Sequence, residues 1–465
     1  MASWKFDDTV PVSIQLTRLV PTRSIPPPLS DVLLASARCL RAVSSGRSLS
    51  DALPGIQPLL RPAAQAVSFH VMRRLGLARE VRRILVRRAP AADALLLTSL
   101  ALLDTALEYG ARPAEGVAPR EVPLYTVPTV VDQAVNAAGA CDASRSCKAL
   151  FNAVLRRFAR EWTAIVARAR KNAEARWNYP KWWIQCVHDA YPACWRELLE
   201  AGNRPAPMML RVNPRRSSVG ELLAQLRAAN LAARPLGRQG IVLDTPRPVH
   251  AVPGFDQGWW SVQDVSAQRA GALVAPVAGM RVLDACAAPG GKSAHLLELA
   301  DIELVALDND AARLRRMRAN LDRLGLMSDA VSLRHADAAD PAAWWDGRAF
   351  DVVLADVPCT ASGIVRRHPD IRWLREPGDV AATASRQAHI VDALWRVVRP
   401  GGRLVYATCS LFPAEGGEQA ARFLECHGDA ERLPAPGQLL PTGIADAGDG
   451  FFYAVFARRE RGGQK

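Results

Sequence analysis

Two cysteines in separate short frames could carry covalent chemistry. Cys359 stands in Asp356-Val357-Pro358-Cys359, and Cys409 stands in Tyr406-Ala407-Thr408-Cys409-Ser410. Each follows an apolar run that reads as a buried strand, 350–354 and 403–407. Upstream, Val282-Leu283-Asp284-Ala285-Cys286-Ala287-Ala288-Pro289-Gly290-Gly291-Lys292-Ser293 reads as a strand, a glycine turn and a helix start. Two thiols and the Asp356 carboxylate at the carboxyl edge of a nucleotide-type sheet point to covalent chemistry on a bound planar ring. A single cysteine at a strand end is more simply a small buried hydrophobe. The pair, taken with the upstream loop, reverses that preference.

The upstream loop suggests a cofactor. Gly290 and Gly291 permit close backbone approach, and the following helix offers free N–H groups to an anionic ligand end. No GxxxxGK[ST] occurs, which disfavours a triphosphate site. Asp308 closes the second strand, where a carboxylate can accept from ribose hydroxyls. Asp337, after the third strand, could meet an adenine amino group. Each aspartate alone reads as a helix cap or turn residue. The ordered series of loop, Asp308, Asp337 and Asp356 at successive strand ends fits S-adenosylmethionine better than a dinucleotide, because GxGxxG is absent.

The elements that must position these residues alternate. Strands are expected at 281–285, 303–308, 330–334, 350–355 and 403–408, with a late one at 451–457, and helices at 293–300, 311–324 and 381–398. This pattern predicts a doubly wound parallel sheet. Before it, 171–275 is richer in Trp, Pro and polar residues and reads as a small α+β connecting subdomain. Residues 29–170 are Ala/Leu/Arg-rich with helical periodicity and read as an all-α domain, and 1–28 reads as a loose tail ending in Pro26-Pro27-Pro28. The catalytic α/β domain then spans 276–465. Arg73, Arg74, Arg79, Arg82, Arg83, Arg87 and Arg88 crowd one stretch opposed only by Glu80. That stretch is either a solvated helix face or a phosphate-binding one.

Composition bounds the rest. A chain of 465 residues exceeds one ordinary core, and 49% hydrophobic with 23% charged residues is globular rather than disordered. A net charge of +13 suits a polyanionic partner, most simply nucleic acid. The nine cysteines contain no CxxC pair, so no metal is expected; Cys186 with His188, and Cys426 with His427, lack further ligands at useful spacing. No signal peptide is visible, and the best membrane candidate, 94–103, stops at Asp104 after half the length a bilayer needs. A reduced, cytoplasmic protein is expected, with no membrane partner and no sign of an obligate dimer, hence a monomer.

Residues 260–408 and beyond resemble the RNA cytosine-5 methyltransferases. The markers are Ser261-Val262-Gln263-Asp264, Ala288-Pro289-Gly290-Gly291-Lys292, Asp356-Val357-Pro358-Cys359 and Thr408-Cys409-Ser410, in family order. Arg366-Arg367-His368-Pro369-Asp370-Ile371-Arg372-Trp373-Leu374-Arg375 resembles the bacterial RsmB (Sun/Fmu) group, which acts on 16S ribosomal RNA. That group carries an N-terminal helical, RNA-binding domain similar to NusB; Gly46-Arg47-Ser48-Leu49 and Leu150-Phe151-Asn152-Ala153-Val154-Leu155-Arg156-Arg157 are similar here.

The resemblance implies a multidomain architecture: an all-α NusB-like domain, an α+β connecting subdomain and a Rossmann-like methyltransferase domain. It implies S-adenosylmethionine as cofactor, held by Cys286, Ala287, Ala288, Pro289, Gly290, Gly291, Lys292, Asp308, Asp337 and Asp356. Its partner would be 16S rRNA or a small-subunit assembly intermediate, methylated at carbon-5 of a cytosine (position 967 in that RNA's usual numbering). Cys409 would attack carbon-6. Cys359 would assist elimination, Asp356 would bond the base edge, and Lys292 would hold cofactor loop and base. Chemistry alone leaves Cys359 as the rival nucleophile, because DNA cytosine-5 methyltransferases use a Pro-Cys frame. Arg366, Arg367, His368 and Arg372 would grip RNA, and Phe452-Tyr453-Ala454 either walls the base pocket or forms a core strand. The chain departs from the family in Gly416-Gly417 after Glu415, where Asn usually follows the acid, in Thr360 after Cys359 and in Val357. The alternatives are the same chemistry on transfer RNA and a non-catalytic RNA-binding or assembly factor.

Overall fold

The computed structural model describes residues 26–110, 122–140, 146–442 and 448–460. Residues 1–25 of the expected tail, and Cys141, lie outside the described residues. Helices Leu29–Ser44, Arg61–Leu85, Asp93–Gly110, Val127–Ala140 and Lys148–Ala169 build the first region. The apolar run of 94–103 is the middle of this bundle. Leu95, Leu96, Leu100, Leu102 and Leu103 are buried against the surrounding helices. A helix apolar on every side belongs in a core, and among the described residues none is long and apolar enough to cross a membrane. Asp104, which ends the run, is buried and bridges Arg74 and the Trp162 indole N–H at 2.8 Å.

Short helices Ala173–Trp177, Lys181–Ala190 and Trp195–Gly202 lead into a four-stranded antiparallel sheet. Its strands are β1 Met208–Val212, β2 Ala233–Leu236, β3 Gly240–Leu243 and β4 Trp260–Val262, in order β2-β3-β1-β4. The first marker of the family resemblance, Ser261-Val262, therefore pairs with β1 of this sheet.

The second sheet has seven strands: β5 Arg281–Ala285, β6 Glu303–Asp308, β7 Val331–His335, β8 Phe350–Asp356, β9 Val398–Thr408, β10 Ala430–Leu439 and β11 Phe451–Arg458. The order is β10-β11-β9-β8-β5-β6-β7. Successive residues of the central strands face opposite cores, as a doubly covered sheet requires. Val282, Leu304 and Leu354 meet helices Val265–Val274, Gly291–Leu299 and Ala311–Leu324, whereas Leu283, Val305 and Val353 meet Pro377–Trp395 and Gly417–Cys426.

The expectation of an all-parallel sheet is corrected: β5 to β9 are parallel, but β11 runs antiparallel to β9 and β10 antiparallel to β11. The sequence hid β10 because Pro434 and Pro436 interrupt it. Prolines are tolerated at an edge, and a register shift falls between Leu433 and Gly437.

Long-range ties fix the regions together. Arg211 of β1 and Glu298 of helix Gly291–Leu299 form an ion pair at 2.7 Å with no exposed side-chain surface, and Arg211 also donates to the Gly291 carbonyl at 2.8 Å. Leu49 N–H donates to Asp370 at 2.8 Å, and the Trp373 indole donates to the Met72 carbonyl at 2.8 Å.

Candidate active site

The parallel register delivers the site. Asp356 of β8 aligns with Ala407 of β9, so Cys359 and Cys409 leave adjacent strands at one carboxyl edge. Their Sγ atoms lie 3.3 Å apart. The Cys409 thiol is pushed well up from its usual range by its hydrogen bond to Cys359 and by burial; Asp356 adds to this, and Lys292 opposes it. Lys292, in the first turn of helix Gly291–Leu299, donates to Asp356 Oδ2 at 2.6 Å and sits 5.4 Å from the Phe451 ring centroid. Burial works against the Lys292 charge, yet Asp356 holds its pKa above the ordinary value.

Glu415 holds the two thiol loops in register. Its side chain is fully buried and accepts the Thr360 N–H at 2.8 Å together with the hydroxyls of Thr360 and Ser410. Thr360 directly follows Cys359 and Ser410 directly follows Cys409. Burial pushes the Glu415 carboxyl up while these donors pull it back. Ser362 Oγ lies 2.9 Å from Ser410 Oγ, and Gly363 N–H donates to the Cys409 carbonyl at 2.9 Å. In the sequence Glu415 stands out only as the acid before the departure at Gly416-Gly417. That glycine departure is accommodated: a side chain at Gly416 would crowd the Phe452 ring.

The residues expected to hold a cofactor line the same edge. Gly290 adopts φ +92°, which an L side chain rarely takes, and a Cβ there would meet Met317 at 2.5 Å. Cys286, also at positive φ, is half-buried, and desolvation pushes its thiol up to about 12. Asp308 is buried and already accepts the Ala288 N–H at 3.0 Å and the Asp310 N–H at 3.0 Å. Asp337 is exposed and caps its own turn through Ala339 N–H at 3.0 Å. Asp284, behind the loop, bonds Ser293, and burial raises it to about 7; its other oxygen is buried without a partner. A cradle rimmed by carboxylates with an orphaned buried oxygen behind it fits a ligand bearing a sulfonium and an ammonium.

The arginines expected to grip RNA already have partners inside the protein. Arg366 and Arg367 both pair with the buried Asp449, and Arg367 also pairs with Asp264 at 2.7 Å. Arg372 is fully buried, donating to the Gly202 carbonyl at 2.7 Å and the Asn178 carbonyl at 3.2 Å, with its guanidinium 3.8 Å from the Tyr179 ring centroid. His368 is half-buried. Desolvated guanidiniums need such acceptors, and none is visible in the local sequence. The Arg73–Arg88 stretch is likewise mostly spent: Arg74 pairs with Asp104 and Glu108, Arg79 lies over the Trp373 ring, Arg82 pairs with Asp93 and Arg83 with Glu80. Phe452 and Tyr453 are core residues of β11; the aromatic beside Lys292 is Phe451.

The sequence profile of the 16S rRNA methyltransferase RsmB/F family matches residues 271–457, and that of an RsmF/B-like ferredoxin-like domain matches 179–250. Ribosomal RNA small subunit methyltransferase B of Vibrio cholerae is 38% identical over 445 residues, covering 93% of this chain and 98% of its own length. The Klebsiella pneumoniae protein of the same name is 38% identical over 445 residues, covering 92% and 97%. Among solved structures, PH0851 shares the fold at a TM-score of 0.72 and 21% identity, over 93% of this chain and 99% of the other. NSun6 from Pyrococcus horikoshii with SFG does so at a TM-score of 0.52 and 20% identity, over 60% and 98%. The helical region, the connecting sheet and the mixed Rossmann-like sheet thus form one known arrangement, and the chain belongs to the RsmB/F family of 16S rRNA methyltransferases.

Proposed function

We propose that the protein methylates carbon-5 of a cytosine in 16S rRNA through a transient bond from Cys409 Sγ to carbon-6 of the base. The observation that carries this reading is the pair of thiols 3.3 Å apart beside the Lys292–Asp356 ion pair. Cytosine carbon-5 is a poor nucleophile. When Sγ–C6 forms and the thiol proton departs, carbon-5 becomes enamine-like and takes the methyl group. Loss of the carbon-5 proton and cleavage of Sγ–C6 then regenerate the aromatic base and the free enzyme. Cys359, in contact with Cys409, assists this elimination. Asp356 bonds the N3/N4 edge of the base. Lys292 stabilises the thiolate as it forms, which the raised Cys409 pKa requires at neutral pH.

S-adenosylmethionine, when bound, supplies an electrophilic methyl group. The backbone of 286–291, with Asp308, Asp337 and Asp356, would hold it; SFG, an analogue of it, accompanies one structural relative. The target base must be unstacked to expose carbon-6. The helical region acts as a NusB-like RNA-binding domain, and the enzyme works in the cytoplasm. The test is methyl transfer from labelled S-adenosylmethionine to 16S rRNA and to transfer RNA, followed by digestion to nucleosides. Label in 5-methylcytidine from 16S rRNA is the expected result. Label in another nucleoside, or in transfer RNA alone, contradicts the reading.

A further inference from the structure

The two arginine-rich motifs are largely spent inside the molecule, yet the chain carries a net +13. One group of the remaining cations lies where the helical region meets the connecting subdomain. Helix Lys148–Ala169 ends there, helix Ala173–Trp177 follows, and Trp195–Gly202 forms the opposite wall. Two adjoining cavities open at this junction. One, of about 680 Å³, is lined by Arg170, Lys171, Arg176 and Glu200. The other, of about 260 Å³, is lined by Arg73, Arg74, Arg170, Arg176, Arg204 and Glu108. Arg170, Arg176 and Asn203 belong to both, so the two make one groove.

The charges in this groove are unbalanced. Glu108 pairs with Arg74 at 2.6 Å, but Arg74 is shared with Asp104, so Glu108 is only partly compensated. Arg170, Lys171, Arg176 and Arg204 are exposed, and among the described residues none pairs with a carboxylate; Arg176 only stacks on Trp177, 5.0 Å from the ring centroid. Arg73, deeper in the wall, donates to the Arg366 carbonyl at 2.7 Å, and its Nε is buried without a partner. Burial lowers its pKa to about 10, as for a guanidinium lacking a counter-charge. Against these five cations stand Glu200 and the partly compensated Glu108, which leaves the groove cationic. Cations strung along two connected cavities suit a chain of phosphates rather than one small anion.

The groove is also tied to the chemistry. Asn203 and the Asn178 carbonyl in its wall accept from Arg372, and Arg73 bonds the Arg366 carbonyl. Both arginines lie in the segment that follows Cys359. We propose that this groove holds the sugar–phosphate backbone of the substrate RNA, away from the pocket for the target base. The choice of RNA rests on the reading of the active site given above.

The test is equilibrium binding of a 16S rRNA fragment to the full-length protein without cofactor, across a salt series. The variants are Arg170→Glu with Arg176→Glu, Lys171→Glu with Arg204→Glu, and the milder Arg170→Gln with Arg176→Gln. The control is Arg396→Glu with Arg432→Glu, two exposed cations of the catalytic sheet region. Each groove reversal should weaken binding about 10–100-fold near physiological salt and lower the slope of log K against log salt by about 1.5, while the control pair stays near wild type. Binding of S-adenosylmethionine should be unchanged in all. Wild-type affinity and slope in the groove variants, or equal losses in the control, overturns the proposal. A wrong assignment of the methylated base would leave these slopes as expected and show only in the nucleoside digest.

Discussion

The carboxyl edge of the parallel strands and the segment Arg366–Arg375 lie side by side, but they use charge in opposite ways. At the edge, Lys292 and Asp356 form an ion pair that keeps 12% and 29% of its side-chain surface accessible, next to two thiols. In the segment, Arg366 and Arg367 are balanced by Asp264 and Asp449, with 7%, 23%, 6% and 1% accessible. The first arrangement leaves charge available to a ligand. The second consumes it to fasten three regions of the chain together. A charged motif next to an active site therefore need not touch substrate, and the accessible fraction with its acceptors decides which role it has.

Four experiments break or sharpen that comparison. Cys409→Ser should have the largest effect, lowering methyl transfer by more than about 10³-fold while leaving thermal stability near wild type, because it removes the nucleophile from a half-open edge. Asp449→Ala should do the reverse. Leaving one buried and one half-buried guanidinium short of their partner should cost about 3–5 kcal/mol in urea unfolding, and Arg367→Ala should leave the salt slope of RNA binding unchanged. An unaltered stability for Asp449→Ala, or a slope reduced by Arg367→Ala, would restore the segment as an RNA contact.

Glu415→Gln stands between the two regions, since a buried group there positions exposed chemistry. It should lower kcat about 10–100-fold through misplacement of the thiols, with the KM for S-adenosylmethionine unchanged. It should also slow oxidative cross-linking of Cys359 to Cys409, a readout independent of substrate. Cross-linking as fast as in wild type would show that Glu415 does not set the spacing.

The last effect concerns pH and touches stability rather than chemistry. Burial holds the His295 ring at a pKa of about 3, against about 6.5 when unfolded. The unfolded chain then binds the extra proton, so this contribution is complete above pH 6.5 and is lost as pH falls toward 3. Asp284, raised to about 7 by burial, acts in the other direction: its contribution is complete below about pH 4 and is lost as pH rises through 7. His295→Asn should remove the acid-side loss and leave stability falling with rising pH, and Asp284→Asn should do the converse. Urea midpoints measured from pH 4 to 7.5 would show either slope; parallel profiles for both variants would contradict these assignments.

How much was legible follows from what each feature depends on. Topology places Cys359, Cys409, Asp356 and Lys292, because parallel strands bring their carboxyl ends to one edge whatever side chains they carry. Apolar alternation and glycine turns locate such strands locally. The fate of Arg366, Arg367 and Arg372 depends on Asp264, Asp449 and Gly202, acceptors more than eighty residues away that no local pattern marks. Glu415 is intermediate: Ser410 is five residues away, but Thr360, fifty-five residues away, is brought to it only by the fold. Strand β10 was hidden by prolines that an edge tolerates.

The most direct test of the central claim is a covalent trap. Wild type, Cys359→Ala and Cys409→Ala are each mixed with S-adenosylmethionine and 16S rRNA and run on a denaturing gel. The account predicts a stable protein–RNA adduct with Cys359→Ala and none with Cys409→Ala. An adduct with Cys409→Ala and none with Cys359→Ala, or no adduct together with no methyl transfer by wild type, would contradict it.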